Sequence, residues 1–170
     1  MPSAIISISG THGTGKTTAA LLEARNQKIE HPNNTVAVLC EQAALCPYPI
    51  NKQGSEETQM WIFTKQIEQE LKYLAQFDIV VSDRTAVDAI AYTYVAGFHS
   101  LASAMFGLVQ QHVHVYHKII FKRIVTNDFW HQDGIRETTD SRYRRDVEDK
   151  LIEIYRQLLQ EDFEIIMELD

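Results

Sequence analysis

Gly10-Thr11-His12-Gly13-Thr14-Gly15-Lys16-Thr17 fits the pattern G-x-x-x-x-G-K-[ST], a phosphate-binding loop of the Walker A type. Its surroundings agree with that reading. The β-branched run Ala4-Ile5-Ile6-Ser7-Ile8-Ser9 before it reads as a buried strand. After it, residues 17–30 carry Ala19, Ala20, Leu21, Leu22 and Ala24, good helix formers with an apolar stripe. A strand, a glycine turn and a helix start bring several backbone N–H groups to one point. The positive end of the helix dipole makes that point an anion site. In such a loop the backbone of Gly10, Thr11, His12, Gly13, Thr14 and Gly15, with Lys16, Thr17 and Thr18, surrounds a nucleotide triphosphate. Lys16 reaches the β- and γ-phosphates, and the Thr17 hydroxyl ligates Mg²⁺.

At 170 residues the chain is long enough for one domain with a sizeable core, and no composition shift marks a second. A net charge of −7 argues against a general nucleic-acid or membrane-surface binder. No apolar run approaches the ~20 residues of a membrane span, and the N-terminus lacks the pattern of an export signal. Cys40 and Cys46 are too few for a disulfide framework and are expected as thiols, which places the protein in a cytoplasm. Oligomeric state is not legible.

Five strands are expected, at residues 4–9, 35–40, 77–82, 115–121 and 163–169, alternating with helices near 16–30, 55–75, 85–96, 100–112 and 141–161. Continuously apolar strands alternating with helices indicate an α/β fold, a parallel sheet covered on both faces. Ligands of such sheets bind beyond the carboxyl ends of the strands. Strand one delivers the phosphate loop there, strand two Glu41, and strand three Asp83 and Arg84. Asp83 can hold Mg²⁺ through its water shell, take a proton from an attacking hydroxyl, or cap the helix that follows. Arg84 offers a planar, permanently charged fork to a phosphate or carboxylate of a small-molecule acceptor.

The loop, the strand ending in Asp83-Arg84, Glu56 to Phe63, Ser82 to Tyr92, and Asp133 to Glu137 followed by Tyr143-Arg144-Arg145 together resemble the P-loop nucleoside and nucleotide kinases. Closest is the ribosylnicotinamide-kinase-like family, related to the kinase domain of NadR-type regulators. The resemblance spans nearly the whole chain. It implies a three-layer P-loop NTPase fold with a five-stranded parallel sheet in the order 2-3-1-4-5, and a lid after strand four. It implies that Glu41 orients or deprotonates the acceptor hydroxyl. It also implies that the helices carrying Gln59, Trp61 and Tyr92 line the acceptor pocket.

The lid candidate is residues 122–145, where Arg123, Arg136, Arg142, Arg144 and Arg145 cluster in an acidic protein. Arg144 lies three residues before Val147, which opens the inward stripe Val147, Leu151, Ile154, Leu158, so Arg144 faces inward. Arg136 and Arg144 are the candidates for stabilising a transferring phosphoryl group. The alternative is that nearby carboxylates pair these arginines on a solvated helix. His112, His114 and His117 straddle a helix end and a strand start and are not expected to converge on a metal. The expectation is an ATP- and Mg²⁺-dependent kinase acting on a nucleoside or nucleotide-like acceptor. A nucleotide-sensing P-loop ATPase without an acceptor is the alternative.

Overall fold

The computed structural model describes residues 3–50, 54–124, 141–163 and 167–169. Its element order is β1 (Ala4–Ser9), α1 (Lys16–Glu30), β2 (Val36–Leu39), α2 (Glu56–Leu74), β3 (Ile79–Asp83), α3 (Ala86–Val95), α4 (His99–His112), β4 (Tyr116–Phe121), α5 (Ser141–Leu159) and β5 (Met167–Leu169). Short 3-10 turns at Gln42–Leu45, Val113–Val115 and Gln160–Asp162 join some of them.

Four parallel strands in the order β2-β3-β1-β4 carry the sheet, and three-residue β5 pairs with the free edge of β4. The expectation of a fifth strand beginning at Phe163 is corrected here. Phe163 still belongs to the helical turn after α5, residues 164–166 lie outside the described residues, and only Met167–Leu169 is paired. A short apolar run at a helix end fits either state.

The strands are apolar on both sides because helices cover both sides. Ile6, Ile8, Ile79, Val81 and Ile120 pack with Ala20 of α1. The alternate residues Ile5, Val80, Ile119 and Phe121 pack with apolar side chains of α2 to α5. Each fully buried isoleucine contributes about 1.5–3 kcal/mol. On α5, Arg144, Val147, Leu151, Ile154 and Tyr155 form the buried face, so Arg144 does point inward.

Register fixes where the strands end. Ile8 lies opposite Asp83, Ser9 opposite Phe121, and Leu39 opposite Ser82. The residues that follow β1, β2 and β3 therefore emerge along one edge. Helices α2 and α3 begin with reciprocal capping boxes, Ser55 with Thr58 and Thr85 with Asp88. Helix α1 begins differently: Gly15 supplies no side-chain cap and the first turn holds no acidic residue. Its first N–H groups are left for something other than a side chain.

No described helix is long and apolar enough to cross a membrane. The described thiols Cys40 and Cys46 are free, the first of them exposed. No cluster of three metal-ligating side chains occurs among the described residues, and His112 is taken up by Glu70 at 2.6 Å.

Candidate active site

The loop between β1 and α1 turns through three glycines with positive φ, Gly10 at 138°, Gly13 at 71° and Gly15 at 78°. At Gly10 a second constraint applies. A Cβ there would overlap the carbonyl oxygen of Lys122, the residue following β4. Lys122 is held at that point because its N–H donates to the Ser9 carbonyl at 2.9 Å.

Lys16 is 6% exposed and folds back over the loop, its Nζ donating to the Thr11 carbonyl at 2.5 Å and to Thr14 Oγ1 at 3.4 Å. Burial, aided by the neighbouring Arg84 charge, lowers its pKa to about 7. Thr18 and Gly13 remain exposed at the mouth. His12 turns inward instead. It is 1% exposed, its N–H donates to the Tyr92 hydroxyl at 2.9 Å, and its Nδ1 lies 2.9 Å from the same oxygen.

Thr17 Oγ1 donates to Asp83 Oδ2 at 2.6 Å. The other carboxylate oxygen, Oδ1, is buried and has no hydrogen-bond partner. Burial raises the Asp83 pKa, against the Thr17 hydrogen bond and the Arg84 and Lys16 charges that lower it. A buried carboxylate oxygen without a donor calls for a cation or a cation's water. A hydroxyl and a carboxylate at one point form the hard-oxygen donor set that suits Mg²⁺. Thr17 and Asp83 therefore fit the metal expected of them.

Arg84 adopts a left-handed backbone, φ 98°, unusual for a side-chain-bearing residue. Its Nε donates to Glu41 Oε1 at 2.6 Å, and its Nη1 to the Gly10 carbonyl at 3.3 Å. The guanidinium also lies 5.5 Å from the centre of the Tyr92 ring. Burial alone would lower its pKa, but Glu41, Tyr92 and Asp88 outweigh that and raise it, so the charge is permanent. The chain thus brings Glu41 and Arg84 together at the root of the phosphate loop. A cavity of about 10 Å³ adjoins Arg84, lined also by Gln42, Gln59, Gln66 and Tyr92 among others. Gln42 Oε1 is buried there without a partner. Trp61 does not line the cavity; it is partly buried against the main core.

Arg144 is 1% exposed and donates through Nε to the His12 carbonyl at 3.0 Å and through Nη2 to the Gly13 carbonyl at 3.3 Å. It holds the backbone of the phosphate loop from behind. Arg123 lies 3.5 Å from Glu148, while Arg142 and Arg145 are exposed. Arg136 and residues 125–140 of the lid candidate lie outside the described residues.

Sequence reasoning passed over the residue that ties these parts together. Asp88 Oδ2 accepts from Ser9 Oγ at 2.9 Å and from Thr85 N and Oγ1 at 3.0 and 2.7 Å. Its Oδ1 accepts from Gly10 N at 3.3 Å and Arg84 Nη1 at 3.4 Å. Tyr155 closes the cluster by donating to Ser9 Oγ at 2.9 Å. The Thr85-x-x-Asp88 spacing was a signal, since it is that of a capping box.

Comparison with known proteins agrees with this geometry. A family model described as an AAA domain matches residues 5–166. No curated protein matches the sequence. Among solved structures, deoxyadenosine kinase from M. mycoides, with products dCMP and dCDP, is 17% identical with a TM-score of 0.66, covering 98% of this chain and 89% of that one. Thymidylate kinase from Ehrlichia chaffeensis is 18% identical, TM-score 0.68, covering 100% and 93%. NadR protein in complex with NR is 17% identical, TM-score 0.72, covering 99% of this chain but 45% of that one. At these identities the likeness is one of fold, and the fold is that of P-loop nucleotide kinases.

Proposed function

We propose that this chain, which belongs to the AAA-domain family, is an ATP- and Mg²⁺-dependent kinase that phosphorylates a hydroxyl or phosphate of a small nucleoside or nucleotide-like acceptor. The observation that carries the reading is the Glu41–Arg84 pair, 2.6 Å long, at the root of the phosphate loop and beside a cavity. A protein that only senses a triphosphate does not need a proton acceptor on that side, whereas the acceptor of a kinase must be oriented and relieved of a proton.

In this scheme the uncapped start of α1 and Lys16 hold the β- and γ-phosphates. Thr17 and Asp83 are the residues that would hold Mg²⁺, and the ion would supply neutralising positive charge there. Glu41 accepts the proton of the attacking hydroxyl, and Arg84 orients the acceptor. Arg144 keeps the loop in shape through its carbonyls, while Arg136 is the remaining candidate for contact with the transferring group. The fold relatives include a deoxyadenosine kinase with bound dATP, which supports a nucleoside triphosphate as a ligand of this fold. A cavity of about 10 Å³ has room for one water, so an acceptor bound there requires its lining elements to separate.

Phosphorus NMR with MgATP and a panel of nucleosides and nucleoside monophosphates tests the reading. ADP and a phosphorylated acceptor are expected together. Free phosphate as the sole new signal with every acceptor would make the chain an ATPase instead.

The lowered Lys16 pKa supplies a second test. In the free protein Lys16 loses its proton above about pH 7, whereas a bound triphosphate favours the charged form. ATP binding at pH 8 therefore takes up a proton, and affinity falls as pH rises past 7, by at most tenfold per unit. Calorimetry at pH 8 in buffers of different ionisation enthalpy should report the uptake, and Lys16→Met should abolish it. Equal apparent enthalpies in all buffers would contradict the assignment.

A further inference from the structure

On α2, Gln66 and Glu70 lie one turn apart on the face turned toward the sheet, 3% and 0% exposed. Glu70 is fully buried, and three described side chains surround its carboxylate. Gln66 Nε2 donates to Oε1 at 2.9 Å, His112 Nε2 lies 2.6 Å from Oε2, and the Tyr116 hydroxyl donates from 3.0–3.1 Å. Two arms lead from this carboxylate to the β3–α3 corner. Gln66 Nε2 also lies 3.3 Å from the Arg84 carbonyl and 3.1 Å from Ser82 Oγ, which itself donates to that carbonyl at 2.7 Å. Tyr116 OH accepts from Ala86 N at 3.0 Å. The arms grip Arg84 and Ala86, one residue on either side of Thr85.

We propose that Glu70, acting through Gln66 and Tyr116, is a positioning residue that holds the Asp83–Arg84 corner in its site-forming conformation. Arg84 has a positive φ that a side-chain-bearing residue keeps only when its surroundings over-determine it. Hydrogen bonds to its own carbonyl are the most direct means of doing so, and those from Ser82 and Gln66 to that oxygen belong to this network. The backbone twist is what sends the guanidinium back to Glu41 and the Gly10 carbonyl, and what ends β3 with Asp83 beside Thr17. Packing alone gives no reason for the arrangement. An apolar side chain of similar volume would fill the place of Glu70 without the cost of desolvating a carboxylate. Burial raises the Tyr116 pKa, so its phenol keeps the proton it donates. The carboxylate draws on three elements, α2, α4 and β4, and its arms reach the turn that leads into α3.

Three variants test this. Gln66→Met removes the amide link at little change of volume, Tyr116→Phe removes the Ala86 arm alone, and Glu70→Gln keeps the shape without the charge. In the ligand-free protein, the Arg84 Nε–Hε proton signal should be shifted and slow to exchange because Glu41 holds it. We expect Gln66→Met and Glu70→Gln to lose that protection. If the kinase reading holds, turnover falls about 10- to 100-fold in both, with the KM for MgATP within about twofold of the parent, since displacing reacting groups by about 1 Å is that costly. Tyr116→Phe should give a smaller change in the same direction. The proposal is overturned if the variants melt earlier yet keep the Arg84 signal of the parent protein. That signal needs no turnover, so it decides the proposal even where no acceptor is phosphorylated. Should Glu70→Gln fail to fold, Gln66→Met decides it.

Discussion

Asp83→Asn should lower phosphoryl transfer by about 100- to 1000-fold, the loss typical of removing one group that faces developing charge. It should do so while making the nucleotide-free protein more stable. The two effects have one cause. Asp83 is 3% exposed, Oδ2 is bonded to Thr17, and Oδ1 has no partner. Burial raises its pKa, so the folded chain disfavours the ionised form. That penalty appears as pH rises above the unfolded carboxylate value and is complete once pH exceeds the folded one. The amide removes it at neutral pH, so the melting temperature rises. The same amide cannot supply the negative charge that draws Mg²⁺. Titration of activity with Mg²⁺ should therefore show a weakened apparent affinity, with turnover still low at saturation. Activity within threefold of the parent at saturating Mg²⁺ would remove Asp83 from the metal site.

Glu41→Gln should reduce turnover by about 10²- to 10⁴-fold, the range for a positioned general base, with a smaller effect on MgATP affinity. Unlike the Asp83 change it should also cost stability. The Arg84 side chain is 6% exposed and its charge is permanent, so an amide in place of the carboxylate leaves a buried cation with a weaker partner. Breaking such a pair costs about 3–5 kcal/mol. The lower end is expected, because the amide oxygen still accepts and Asp88 with the Gly10 carbonyl continue to hold Nη1. Parallel measurement of kcat and melting temperature separates the two consequences. Turnover preserved within fivefold in a destabilised protein would make Glu41 a mere counter-ion of Arg84.

The grouping of residues at the strand ends was legible because a parallel sheet puts successive strand termini along one edge. Glu41, Asp83 and Arg84 each follow an apolar run, and the register brings Leu39 opposite Ser82 and Asp83 opposite Ile8. The inward face of Arg144 was legible from its spacing to Val147, but its partners were not. Carbonyls of His12 and Gly13 lie more than 130 residues away, and no local pattern records them. Asp88 escaped for the opposite reason. Its local role as a helix cap is sufficient on its own, and hides the bonds it sends to Ser9, Gly10 and Arg84. Glu70 and Gln66 belong to no motif of the sequence, and only the fold reveals that their face of α2 is buried. The last strand was overestimated because Phe163 to Leu169 is apolar enough for either element, and tertiary packing gave its start to the helix.

The close approach of Gly10 to the Lys122 carbonyl has a consequence for how this protein can vary. Any single-base change of a glycine codon that alters the residue introduces a side chain, and every side chain begins with the Cβ that cannot be housed there. The backbone angle at Gly10 adds a second bar to the same set of replacements. No genetic neighbour of this position is therefore tolerable, whereas exposed Leu45, at the end of the turn that begins at Gln42, meets neither bar. Side-chain change is thus open at that turn and closed at the root of the loop.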